Sequence, residues 1–195
     1  MQDFGPLITL NDPAFIHPTT LIYGKATIGP GSSTWANTVI RAENDEVVIG
    51  ANTNIQDFTM IHVGSATSAI IGDNCSVTHH CTVHGCVIED NCLIGINATI
   101  MDGAVIGANT IVAGGAFVTE GTIIPENSIA AGVPAKVIKT RNNRDANRYN
   151  AILYNLNAAA YARGEHRAWN DPATVAEAKR RLEAFQSEHG PGRHV

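Results

Sequence analysis

Long apolar runs and paired Cys-x-x-Cys motifs are both missing from this chain of 195 residues. Each absence closes a class of function. The formal net charge is −5 and only 16% of residues are charged, so nucleic acid and acidic membrane surfaces are poor expected partners. No apolar stretch approaches a membrane span. The opening Met1-Gln2-Asp3-Phe4-Gly5-Pro6 has neither the basic nor the apolar region of a secretory leader, and a cytoplasmic protein is expected. Cys75, Cys81, Cys86 and Cys92 lie close together, yet their spacing is not that of a structural zinc site.

What is present is a repeat of period six. From Leu10 to Ser128 a mostly aliphatic residue, position i, recurs through Ile22, Ile28, Ile40, Ile49, Ile55, Ile61, Ile71, Val77, Val83, Ile88, Ile94 and Ile100, and a small residue follows at i+4. The steps Ile40 to Ile49 and Ile61 to Ile71 are lengthened, and Val83 to Ile88 is one residue short. β-Branched residues alternating with Gly, Asn and Asp describe very short strands and tight turns. A period of six marks a parallel β-helix, whose coils must stack to bury a continuous core. Cys75, Cys81 and Cys92 occupy the small i+4 column, so they read as core residues, with Cys86 left open. Gly24, Gly29, Gly50, Gly72, Gly95 and Gly107 mark turns that call for permissive backbone angles.

The repeat stops after Pro125, and Ala131 to Lys136 closes the coil. The polar stretch Arg141 to Arg148 follows, then a helix over Ala151 to Ala162. Asp171-Pro172 starts a second helix, Ala173 to Ser187, and the residues from Gly190 to Val195 read as a tail. The division is a β-helix domain over 1–138 and a helical extension over 139–195, the helices capping an open end or covering a face.

Four segments carry a resemblance. They are Ile40-Arg41-Ala42-Glu43, Asn54-Ile55-Gln56-Asp57, Met60-Ile61-His62 and Val77-Thr78-His79-His80-Cys81-Thr82-Val83-His84-Gly85-Cys86. Together with the repeat, they resemble the gamma-class carbonic anhydrases of the hexapeptide-repeat superfamily. The resemblance implies an all-β solenoid, a left-handed parallel β-helix with C-terminal α-helices. Handedness comes from the resemblance alone, because parallel crossovers are ordinarily right-handed. It also implies a homotrimer with a metal site shared between subunits, His62 and His84 from one chain and His79 from its neighbour. Gln56 matches the glutamine that contacts the metal's solvent ligand. Arg41 and Asp57 match residues that pair across the interface, and Glu43 stands one methylene longer where relatives carry Asp. The implied reaction is reversible hydration of CO2 to bicarbonate, with Zn2+, or Fe2+ or Co2+, activating water.

The repeat gives a separate check on that assignment. With three hexapeptides per coil, as the resemblance implies, Arg41, His62 and His84 fall at i+1 on successive coils. His79, at i+2 of Val77, stacks on Asp57 on a different face and needs a second chain to reach the same ion. His80 reads as exposed or as a support behind a ligand, and His17, His166, His189 and His194 as incidental. The insertion Val63 to Ala69 is short and free of carboxylate, where the best-characterised active form carries a proton-shuttling glutamate, so turnover is expected to be slow or absent. The competing readings are an acyl-CoA-dependent acyltransferase or thioesterase of the same superfamily, and a catalytically silent assembly or metal-storage subunit.

Overall fold

The computed structural model describes residues 4–190; Met1-Gln2-Asp3 and the tail 191–195, with His194, lie outside the described residues. The chain winds into a left-handed parallel β-helix of about 7 turns followed by two helices. Its triangular section is visible in the strand pairings, which fall into three stacks. The first stack aligns Ile22, Ile40, Ile61, Val83, Ile100 and Val118. The second aligns Ile16, Thr34, Ile55, Val77, Ile94, Val112 and Ala130. The third aligns Ile28, Ile49, Ile71, Ile88, Ile106 and Ile124. Position i therefore returns to the same face once per coil, and these columns form the core. Ile28, Ile40, Ile55, Ile61, Ile88, Ile94, Ile100 and Ile106 are completely buried.

The i+4 residues form a second buried layer just inside the corners, where Ala26, Thr38, Thr59, Ala98 and Ala104 have no room for a larger side chain. Cys75, Cys81 and Cys92 belong to it, and so does Cys86. The shortened step explains that last placement: dropping one residue before Ile88 puts Cys86 between Ala69 and Ala104 in the same layer. Burial pushes the thiols up, Cys81 to about 11 and Cys86 to about 12, and Cys75 well above its ordinary value. All four are free.

The turns correct the glycine reading. The left-handed corner falls at i+3, occupied by Asn52, Asn74, Asn91, Asn97, Asn109 and Asn127 or by glycine, all with positive φ. Asparagine tolerates this region because its short amide bonds locally. Of the glycines singled out from sequence, Gly24 alone has a positive φ, +83°. The others answer to close approach instead. A Cβ on Gly29 would lie 2.6 Å from the carbonyl carbon of Gly50, and one on Gly50 would lie 2.6 Å from that of Gly72.

At the top, Ser128–Gly132 and Ala135–Thr140 pair antiparallel, ending the stack. Helix α1 (Arg144–Ala162) and helix α2 (Pro172–His189) follow. α1 begins inside the stretch read as irregular polar chain. Its polar residues are what dock it: Asn147 Nδ2 donates to Asn91 O, Asn150 Nδ2 to Ser76 Oγ and Asn155 Nδ2 to Gly31 O. α1 thus covers the outer face of the second stack rather than an open end. Asp171 caps α2, accepting from the Thr174 backbone N–H at 3.1 Å. Among the described residues no helix is long and apolar enough to cross a membrane.

Candidate functional site

Two groups of polar side chains stand at opposite edges of the first stack's outer face. One edge is built where strands Met60–His62 and Thr82–His84 end side by side, in a register that aligns His62 with His84 and Arg41 with His62. His62 Nδ1 lies 3.0 Å from His84 Nε2. Behind them, His62 Nε2 is 3.1 Å from both Arg41 Nη2 and Glu43 Oε2. Arg41 and Glu43 pair at 3.4 Å. Burial raises the Glu43 carboxyl, but its own backbone N–H, Arg41 and His62 outweigh that and hold it below the usual range. Arg41 Nε is buried without a hydrogen-bond partner among the described residues.

The other edge is the corner that leads from strand Ser76–Val77 into Thr82–His84. Here His79 Nδ1 meets Asp57 Oδ2, one coil below, at 3.0 Å. The next residue on each coil, His80 and Phe58, occupies the left-handed corner with φ of +58° and +60°. Among the described residues with positive φ, these are the two that are neither Asn, Asp nor Gly. Their rings stack, 4.8 Å apart and 2° from parallel. His80 is exposed and holds the corner with Phe58.

Gln56 is placed apart from both groups. It is 1% exposed and donates to Asn54 Oδ1 at 2.9 Å; Asn54 Nδ2 in turn donates to Ser76 Oγ, which Asn150 of α1 also reaches. This relay ties Gln56 to the helix, under the corner that carries His79.

Sequence reading passed over Asp102, which Thr67 and His84 share: Thr67 Oγ1 donates to Asp102 Oδ1 at 3.2 Å, and His84 Nδ1 is 2.9 Å from Asp102 Oδ2. The same count that stacks Asp57 below His79 puts Asp102, at i+2 of Ile100, one coil beyond His84. The carboxylate was therefore legible in the register. Beside the His79 corner lies a cavity of about 340 Å³ between α1 and the second stack, walled by Trp35, Tyr154, Tyr161 and Trp169. Burial and then the Asp57 charge push the Tyr154 hydroxyl up to about 12.

Among the described residues no three His, Cys, Asp or Glu side chains of a single chain converge as a metal site. The donor chemistry fits a divisible one. His79 and His84 each have Nδ1 held by a carboxylate, which orients the ring and leaves Nε2 as the lone-pair nitrogen a divalent ion takes. His62 presents its Nδ1 toward that same Nε2 of His84.

Comparisons with known proteins follow this outline. The family model described as GMPPB C-terminal domain matches residues 10–138. A probable carbonic anhydrase of Methanocaldococcus jannaschii is 54% identical over 119 residues, 61% of this chain and 75% of that protein. The mitochondrial gamma carbonic anhydrase 2 of Arabidopsis thaliana is 37% identical over 107 residues, 52% of this chain; the chain spans only 38% of that longer relative. Among solved structures, a putative acetyltransferase of Bacillus cereus superposes with a TM-score of 0.76 at 34% identity, covering 79% of this chain and 91% of that one.

Proposed function

Because residues 10–138 belong to the family described as GMPPB C-terminal domain, and the chain to the gamma carbonic anhydrase-like proteins of the hexapeptide-repeat superfamily, we propose that it is a gamma-type carbonic anhydrase. In this reading it hydrates CO2 reversibly to bicarbonate, slowly, at metal sites shared between the subunits of a homotrimer. The observation that carries the reading is the split of the histidines: His62 and His84 at one edge of a face, His79 at the other. Two different edges that must meet are what a closed head-to-tail ring provides. The unpartnered Arg41 Nε at the first edge is a donor that a neighbour's Asp57 corner would satisfy.

Three imidazoles suit a divalent cation such as zinc, iron(II) or cobalt(II), which when bound supplies Lewis acidity and brings the pKa of water near 7. The chain's own groups do the rest. Asp102 and Asp57 fix the tautomers of His84 and His79. Glu43 and Arg41 hold the His62 ring from behind. Gln56, positioned through Asn54, orients a substrate oxygen once its amide turns from that partner. The loop Val63 to Ala69 contributes Thr67 to Asp102 but no carboxylate, leaving proton export to solvent and the rate low.

The test joins elemental analysis of purified protein, native mass and a CO2 hydration assay with His84→Ala as control. About one divalent metal per chain in a trimer, with hydration abolished by the substitution, is expected. A metal-free monomer, or equal rates for both proteins, defeats the reading. The likeness to the Bacillus acetyltransferase favours a second reading, acyl-CoA-dependent transfer or thioester hydrolysis; it predicts acyltransfer that survives complete removal of metal.

A further inference from the structure

The corner that joins the third stack to the second carries a ladder of asparagines, and α1 docks along it through amides of its own. Beside Asn52 and Asn74 that pattern breaks. There α1 presents Arg148 and Ile152 and α2 adds Arg181, and with Asn155 these residues enclose a cavity of about 140 Å³. No histidine or carboxylate lines it among the described residues, so it is separate from the groups at the edges of the first face.

Its donors are unmet. Arg148 has no hydrogen-bond or ion-pair partner among the described residues; its guanidinium lies over the Phe185 ring, 4.4 Å from the centre. A ring face supports the cation but offers no lone pair to the in-plane N–H groups. Burial pulls the Arg148 guanidinium below its ordinary value, while the charges of Asp73 and Asp90 hold it up. Arg181 donates from Nε to Glu177 and from Nη1 to Asn155 Oδ1, which leaves Nη2 over. The Asn74 side chain has no partner among the described residues, and Asn52 uses only its oxygen, accepting from Asn155 Nδ2.

A guanidinium fork matches a planar anion, two N–H groups meeting two oxygens. The space is well below the roughly 300 Å³ where organic-ligand sites begin, and it suits a small ion. Asp73 and Asp90 act on Arg148 from outside the cavity, where their Oδ1 atoms accept from the backbone N–H groups of Ala51 and Asp73. Their field tolerates one negative charge beside the two guanidinium groups and opposes a second. We propose that this cavity binds a small planar monoanion, bicarbonate or a short carboxylate, on Arg148, with Arg181 and the Asn74 amide completing its contacts.

The test follows the melting temperature of the purified full chain as acetate, bicarbonate or hydrogen phosphate replaces chloride at constant pH and ionic strength. Acetate and bicarbonate are expected to raise it saturably, and the lower half-saturation of the two identifies the better occupant. Hydrogen phosphate should need at least tenfold more. Arg148→Gln should raise the half-saturation at least tenfold, whatever its own melting temperature. Asn74→Gly keeps the corner's φ of +57° and removes only the amide; it should raise the half-saturation at least threefold. The increment should persist in His84→Ala, so failure here is separate from failure of the anhydrase reading. No increment over chloride overturns the proposal, as does wild-type half-saturation in either cavity variant, loss of the increment in His84→Ala, or tighter binding of phosphate.

Discussion

The carboxylate behind His84 offers a sharp perturbation. Asp102 Oδ2 sits 2.9 Å from His84 Nδ1, and its other oxygen accepts from Thr67, so the imidazole is held in one orientation with Nε2 outward. Asp102→Asn keeps the shape and can keep the Thr67 contact, but it replaces a charge-assisted acceptor with a neutral amide that can turn its N–H2 toward the ring. Partners of this kind behind a metal-bound histidine are worth roughly 10- to 100-fold in metal affinity, or about 1.4–2.8 kcal/mol. His84 and Asp102 are 28% and 30% exposed, so solvent screening favours the lower half of that range. Zinc affinity measured by competition with a chelator is therefore expected to fall about tenfold, with fold and oligomeric mass unchanged. Asp57→Asn, acting on His79 from the other edge, should weaken zinc by a similar factor. An affinity indistinguishable from wild type in both variants would falsify the view that these carboxylates orient metal ligands.

Other consequences follow from the core and corners. None of the four cysteines should react with a thiol reagent at neutral pH in the native state, since burial holds Cys81 near 11 and Cys86 near 12; all four should react in denaturant. Rapid native labelling would contradict the core placement. Tyr154 is predicted to release its proton only near pH 12, a late tyrosinate step absent from Tyr154→Phe. Its neutral form is favoured by folding, so this contribution is intact below about pH 10, the unfolded value, and is lost as pH rises toward 12. Asn74→Ala, at a corner with φ of +57°, should cost roughly 1 kcal/mol in denaturant unfolding; an unchanged midpoint would refute the left-handed corner there.

Much of the solenoid was legible because a period of six leaves a mark at every coil. The i column named the core, and the register of Arg41, His62 and His84 emerged from counting once the resemblance set three hexapeptides to a coil. Three things were hidden, each for a physical reason. α1 starts with Arg144-Asp145-Ala146-Asn147, which lacks an apolar stripe because the helix docks through asparagine amides onto backbone carbonyls and a serine hydroxyl. The stacked glycines looked like turn residues, whereas it is the packing of one coil on the next that demands them. The aromatic cavity draws Trp35 from a coil and Tyr154, Tyr161 and Trp169 from the helical extension, distances in sequence that no local period spans.

If the chain forms the proposed trimer, elimination points to the face that turns toward a neighbour. α1 covers the second stack, so that face is spent. The third carries an outward column through Val48, Ile70, Val87, Val105 and Ile123, apolar but without histidine. Only the first is bounded by both half-sites, and it exposes Leu21 and Tyr23, with Tyr23 in register with Arg41. If this face lines a threefold axis, each of its edges meets a different neighbour, and every His79 corner faces a His62–His84 pair. Tyr23→Glu places a carboxylate from each subunit about that axis and should shift native mass toward monomer, with loss of bound metal. Val87→Glu introduces the same charge on the third face and should leave both unchanged. Dissociation by the second substitution and not the first would move the interface to the third face, where no histidine could be shared.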